Sequence, residues 1–166
     1  MRVALCFAHA YSWNMVYRLF NPEDFDELYA IEEVCFQPPL RFARRYMRQL
    51  VESVEAATWI AEANGQMAGF AIVEWSDQSA GVYAYIATIE VIPEQRGQGI
   101  GIELLRRIEG SAHAEKAVEI WLHVDEENLP AIRLYQANGY RKAGRAENYY
   151  ARGRAAEIYM KRLKTV

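Results

Sequence analysis

Tyr85-Ile86-Ala87-Thr88-Ile89-Glu90-Val91-Ile92, Pro93, and then Arg96-Gly97-Gln98-Gly99-Ile100-Gly101 carry an apolar strand into a glycine-rich turn. Pro93 closes the strand, because it has no N–H to extend a ladder. Downstream, Ile100, Leu104, Leu105 and Ile108 share one helical face, with Glu103, Arg106 and Arg107 turned away. A helix that opens on glycines leaves its first N–H groups without intrahelical partners. With the positive end of the helix dipole, they form a cradle for phosphate oxygens. Arg96 adds a full charge at the mouth. The stretch predicts a strand–turn–helix corner that holds a phosphorylated cofactor.

Spacing separates the kinds of glycine-rich loop. A P-loop needs Lys and then Ser or Thr after its last glycine, and Ile102 and Glu103 stand there instead. A dinucleotide fingerprint starting at Gly97 needs a third glycine where Ile102 sits. What remains is Arg-x-x-Gly-x-Gly, Arg96 to Gly101, which resembles the acetyl-CoA loop of the GNAT acetyltransferases. The resemblance runs from about Val16 to Leu163. It includes a strand at Glu119–Val124 and the pattern Asn128-Leu129-Pro130-Ala131-Ile132-Arg133-Leu134-Tyr135, whose helix ends at Asn138-Gly139. Within the family, Tyr85-Ile86-Ala87-Thr88, Leu122-His123-Val124 and Asn148-Tyr149-Tyr150 resemble N-terminal protein acetyltransferases of the RimI and NatE types. RimI-type enzymes usually carry Glu where His123 stands, so the chain departs from them at that position.

The resemblance implies a cofactor, acetyl-CoA, and a set of residues around it. The loop Arg96, Gly97, Gln98, Gly99, Ile100 and Gly101 would bind the pyrophosphate, and Asn128 would contact the cofactor. Ile89 and Val91 belong to the strand that carries a bulge in the family and splays from its neighbour, leaving a gap for pantetheine. Tyr135 would face the sulfur as general acid or hydrogen-bond donor.

Acyl transfer from a thioester to an amine needs a neutral amine, a stabilised oxyanion and a departing thiolate. A protein α-amino group has a reference pKa of about 8, against about 10.4 for lysine, so a neutral histidine is an adequate base for it. His123 is the candidate, and its alternation with Leu122 and Val124 turns it to the other side of the sheet. Tyr85 is placed by the resemblance as a second catalytic residue, able to hold a water; it also fits a core aromatic. Glu90 is the rival base, since family members acting on lysine often use a carboxylate on this strand; an outward charge is the alternative. Phe36, Pro38 and Pro39 would wall the pocket for the first substrate residue. Tyr149 and Tyr150 match tyrosines that hold a peptide backbone, although ordinary packing also accounts for aromatics there.

Composition bounds the rest. A chain of 166 residues with 52% hydrophobic content suits one buried domain. Lys+Arg 19 against Asp+Glu 22 gives a net charge of −3, with no basic run that would suit nucleic acid. Cys6 and Cys35 lack metal spacing and fit reduced cytoplasmic thiols, and the histidines are scattered, so no metal site is expected. No segment has the apolar length of a membrane span. Residues 1–14 only faintly imitate a signal peptide and are read as an N-terminal extension, with a single domain over 15–166 from Met15.

Asn21-Pro22-Glu23-Asp24 starts a helix whose buried face is Phe25, Leu28, Ile31 and Cys35, ended by Phe36-Gln37-Pro38-Pro39. A second helix over about Leu40–Ser53 carries Arg41, Arg44, Arg45 and Arg48 on its wet side. Asn64-Gly65 joins strands Thr58–Ala63 and Gln66–Trp75 in a hairpin. Gly81 introduces the central strand, and Tyr140–Arg145 with Ala155–Leu163 close the sheet. The expected fold is α+β, a mixed and mostly antiparallel sheet flanked by helices. The expected activity is acetyl transfer to a protein N-terminus in the cytoplasm, by a monomer or weak homodimer. A small-molecule amine, a lysine side chain, or cofactor binding without turnover remain alternatives.

Overall fold

The computed structural model describes residues 14–163, so the extension expected at 1–14, apart from Asn14, and Cys6 with it, lie outside the described residues. Seven strands form one sheet in the order β1-β2-β3-β4-β5-β7-β6. Its elements are β1 (Met15–Leu19), α1 (Phe25–Cys35), α2 (Arg44–Val51), β2 (Ala56–Ala63), β3 (Gln66–Gln78) and β4 (Gly81–Val91). They continue as α3 (Ile100–Ala114), β5 (Ala117–Asp125), α4 (Leu129–Ala137), β6 (Arg141–Ala151) and β7 (Arg154–Arg162). Every pairing is antiparallel except β4 with β5. The expected α+β sheet is therefore present.

Local chemistry explains the corners. Asn64 (φ 51°) and Gly65 (φ 79°) both take the positive φ that a two-residue hairpin turn requires. Asp24 accepts from the Asn21 N–H at 2.7 Å and is gripped by Arg18 through two bonds of 2.7 and 2.8 Å, which ties β1 to the turn before α1. Asn128 caps α4 by accepting from Ala131 N at 3.3 Å.

The helices cover the two faces of the sheet with separate cores. Phe25, Leu28, Ile31 and Met47 of α1 and α2 pack on Ile60, Phe70 and Ile72. On the other face, Leu104, Leu105 and Ile108 of α3 pack on Ala71, Val73, Ile86, Ile120 and Leu122. The arginines differ from expectation. Arg41 precedes α2, which is shorter than anticipated, and donates to the Phe36 and Glu33 carbonyls at 2.9 and 3.0 Å. Arg44 and Arg48 lie over the Phe25 ring at 5.0 and 3.8 Å, so they roof the core as well as meeting water.

One irregularity decides which side chains reach which face. Ile72 pairs with Thr88 but Val73 pairs with Ile86, so Ala87 is an extra residue on β4. A one-residue bulge reverses the side-chain alternation beyond it. Ala84 and Ile86 face α3 before the bulge; after it, Ile89 and Val91 do, and Glu90 turns to the α1 side. The parallel pairing of β4 with β5 runs from Val82 with Ala117 to Tyr85 with Trp121. Beyond that the strands diverge, as the resemblance implied.

Candidate active site

The divergence opens two cavities that meet in the gap. One, of about 550 Å³, lies on the α1/α2 side and includes Tyr85, Trp121, His123, Tyr135, Tyr149 and Tyr150 in its walls. The other, of about 620 Å³, runs along the glycine-rich turn. Phe36, Ile89, Asn128 and Ala131 line both, so they form the passage between the two.

The turn itself is built for an anion. Gly97 (φ 75°) and Gly99 (φ 82°) hold left-handed backbone, and the space where a Cβ would sit on either is open. The first α3 hydrogen bond runs from Glu103 N to Gly99 O, at 3.1 Å. The N–H groups of Ile100, Gly101 and Ile102 therefore have no acceptor in the helix. Of the residues expected at the cofactor, Ile89, Val91, Arg96, Gly97, Gly99, Ile100, Gly101 and Asn128 line this second cavity. Gln98 lies outside its lining, and Tyr135 faces the first cavity. The Arg96 side chain folds back: Nε donates to Val91 O at 2.9 Å and Nη2 approaches Cys35 Sγ at 3.7 Å. It braces the end of β4 while remaining at the mouth of the cavity, where the sequence placed its charge. Gln95, one residue earlier, lines the same cavity, and its buried Oε1 has no hydrogen-bond partner.

His123 stands where β5 begins to leave β4. Ile120, Leu122 and Val124 bury themselves in the α3-side core, so Trp121 and His123 point into the first cavity. Nδ1 lies 3.2 Å from Tyr85 Oη, and the ring stacks on Tyr149 at 4.1 Å with planes 13° apart. Trp121 sits between the partners, 4.6 Å from the Tyr85 ring and 5.3 Å from His123. Burial lowers the His123 pKa, because the interior disfavours its charged form. Burial raises Tyr85 and Tyr135 well above the usual phenol range, so both keep their protons at neutral pH.

Glu90 is placed differently. It is among the residues lining the second cavity, is 2% exposed, and accepts from Thr88 Oγ1 at 2.9 Å. Burial, and then the facing Glu32 carboxyl, push its pKa well above the usual value. Glu32 Oε1 also accepts from Phe42 N at 2.7 Å, which fastens the α1–α2 loop. Phe36 lines both cavities, whereas Pro38 and Pro39 line neither.

Sequence reasoning missed Trp121, Glu32, Tyr46 and Glu74, which line the first cavity. Trp121 was within reach, two residues from His123 on the same strand face. Glu74 carried no local signal, because its place follows from strand register. Among the described residues, no group of three His, Cys, Asp or Glu side chains is arranged to hold a metal, and no helix is long and apolar enough to cross a membrane.

Comparison with known proteins fits this geometry. Over 107 residues the chain is 36% identical to the streptothricin acetyltransferase of Streptomyces lavendulae, an alignment that covers 64% of this chain but 55% of that protein. It is 26% identical over 153 residues to an N-alpha-acetyltransferase of Sulfurisphaera tokodaii, covering 86% and 90% of the two. The crystal structure of the ribosomal-protein-alanine N-acetyltransferase of Escherichia coli superposes with a TM-score of 0.79 over 92% of this chain and 96% of that one, at 23% identity, a likeness of fold. The family model described as Acetyltransferase (GNAT) family matches residues 13–140, spanning the turn, the splayed strands and α4. The chain belongs to the GNAT acetyltransferase family.

Proposed function

We propose that the protein transfers an acetyl group from acetyl-CoA to the α-amino group at the N-terminus of a protein. The observation that carries this reading is the meeting of the two cavities beside His123 and Tyr85: one suits a phosphorylated thioester, the other an aromatic-walled acceptor. The open Gly97 and Gly99 positions and the unpaired α3 N–H groups fit a pyrophosphate, and the orphaned Gln95 Oε1 fits an amide N–H donor. In this reading Arg96 to Gly101, Gln98 included, hold the phosphates, and Ile89, Val91 and Asn128 line the path of the pantetheine arm. Acetyl-CoA supplies the activated acyl group.

Residues of the chain manage the protons. In the tautomer that donates Nδ1–H to Tyr85 Oη, His123 Nε2 keeps a lone pair to take the proton of the attacking amine. Tyr85 Oη–H remains free to hold the amine or a water. Tyr135, buried and protonated, supplies a proton to the leaving sulfur. Phe36, Tyr149 and Tyr150 grip the acceptor chain. Glu90 is bonded to Thr88 and buried against Glu32, which favours His123 as the base. The same reading puts the protein in the cytoplasm as a monomer or weak homodimer. Similarity to streptothricin acetyltransferase supports a second reading, a small-molecule amine as acceptor.

The test is release of free CoA from acetyl-CoA with short peptides, each paired with its N-terminally blocked form. Free peptides turn over, blocked ones do not, and His123→Ala is inactive. Because burial lowers the His123 pKa from its ordinary value of about 6.5, the acid limb of the wild-type rate falls below that pH. Equal turnover of blocked lysine peptides, or of streptothricin alone, would reject the N-terminal acceptor.

A further inference from the structure

One end of the acceptor cavity carries Glu55, Glu74, Tyr46 and Tyr83, and among the described residues no lysine or arginine lines any part of it. Glu74 is central to that end. On β3 it pairs directly with Tyr85, the residue in contact with His123. Phe70 and Ile72 pack beneath α1 and α2, so alternation turns Glu74 to that same face and into the cavity. Glu55 joins it there, positioned by the bond from Trp75 N to Glu55 O at 2.9 Å, and Tyr46 and Tyr83 line the same cavity.

Three other shielded carboxylates are paired with cations, whereas Glu32 and Glu90 face each other inside the wall. Asp24 is bound to Arg18, Asp125 to Arg154, and Glu109 to Lys161, each within 2.8 Å. Glu74 is half-buried with burial as the only influence on its carboxyl, and no described residue supplies it with a counter-charge. A carboxylate withdrawn from water without a partner is costly, and a bound cation relieves that cost. The reacting amine cannot be that cation, because it must be neutral and beside His123. Glu74 lies one strand from Tyr85 and two from Trp121, or about 10 Å from the strand of His123. An extended peptide advances about 3.3 Å per residue, so a long side chain on its second or third residue reaches that distance.

We infer that Glu74, with Glu55 at the rim, selects acceptors that carry a lysine or arginine side chain at the second or third residue. This rests on the N-terminal acceptor reading above. It makes Glu74 a specificity residue, separate from the proton chemistry at His123.

The experiment uses the full chain and peptides that differ only in lysine, norleucine or glutamate at the second or third residue. Wild type is expected to favour lysine over norleucine by about tenfold in kcat/KM, the scale of a charge-assisted contact. Glu74→Gln brings that ratio close to one, mainly through KM, and Glu74→Lys turns the preference toward glutamate. A wild-type ratio near one, or a ratio unchanged in Glu74→Gln, overturns the inference. Binding of the acetylated product peptides is read separately by tryptophan fluorescence, since Trp121 lines the cavity. If no peptide turns over, the N-terminal reading fails on its own. Tighter binding of the lysine product, lost in Glu74→Gln, then still supports the charge assignment, and equal binding overturns it. Turnover of 1,4-diaminobutane without any peptide overturns the peptide acceptor.

Discussion

Gly69 is where the sheet tolerates no side chain, and replacing it tests whether the set of β4 controls the cofactor groove. Gly69 pairs with Val91 at the diverging end of β4. A Cβ added there would lie 2.3 Å from Glu90 O, 3.1 Å from Val91 Cα and 3.3 Å from Glu90 C. All three are backbone atoms, so no rotamer change relieves the overlap. Carbon contacts are most favourable at about 3.5–4.0 Å, so the strands must part by about 1 Å. That displacement moves Ile89, Glu90 and Val91, which line the second cavity.

Overpacking of this kind costs about 1–3 kcal/mol. For a chain of this size that lowers Tm by about 3–10 °C. CoA affinity is expected to fall with it, since the groove wall shifts. Calorimetric melting and titration with CoA measure the two effects on Gly69→Ala. Gly110→Ala is the internal reference: it lies exposed in α3 with nothing within 4 Å of the added Cβ. It should gain about 0.5–1 kcal/mol from helix propensity. A Gly69→Ala protein that melts with wild type and binds CoA equally would refute the claim that strand separation sets the groove.

Two further outcomes follow from the buried groups. Tyr135→Phe should lower kcat by about 100-fold, within the usual range for a proton donor, while acetyl-CoA binding is kept; an unchanged kcat would remove Tyr135 from the proton path. Glu90 has a folded pKa raised above the ordinary carboxyl value of about 4.3, so its contribution to stability is present below that pH and is lost as pH rises through the folded value. Glu90→Gln removes this dependence. Denaturant melts should show the variant gaining on wild type between pH 5 and pH 9, and parallel curves would contradict the raised Glu90 pKa.

The strand–turn–helix corner was legible because its signals are local. Glycines that accept positive φ, a proline that stops a ladder and apolar residues on one helical face each act within a few residues. The Asn64-Gly65 hairpin and the Asn128 cap were legible for the same reason. Helix α2 is shorter than its arginine-rich sequence predicts, because Arg41 is drawn to the carbonyls at the end of α1.

By itself, then, the sequence determined the glycine turn, the mixed sheet, and the strand face on which His123 would lie. Tertiary structure decided what that face meets. The extra residue at Ala87 sends Ile89 and Val91 to one side and Glu90 to the other, where it meets Glu32 from a helix more than fifty residues away in the chain. Register sets Glu74 against Tyr85, and the β6–β7 hairpin brings Tyr149 onto His123. Backbone preference and periodicity are short-range, whereas bulges, register and buried charge pairs depend on which distant segments pack together.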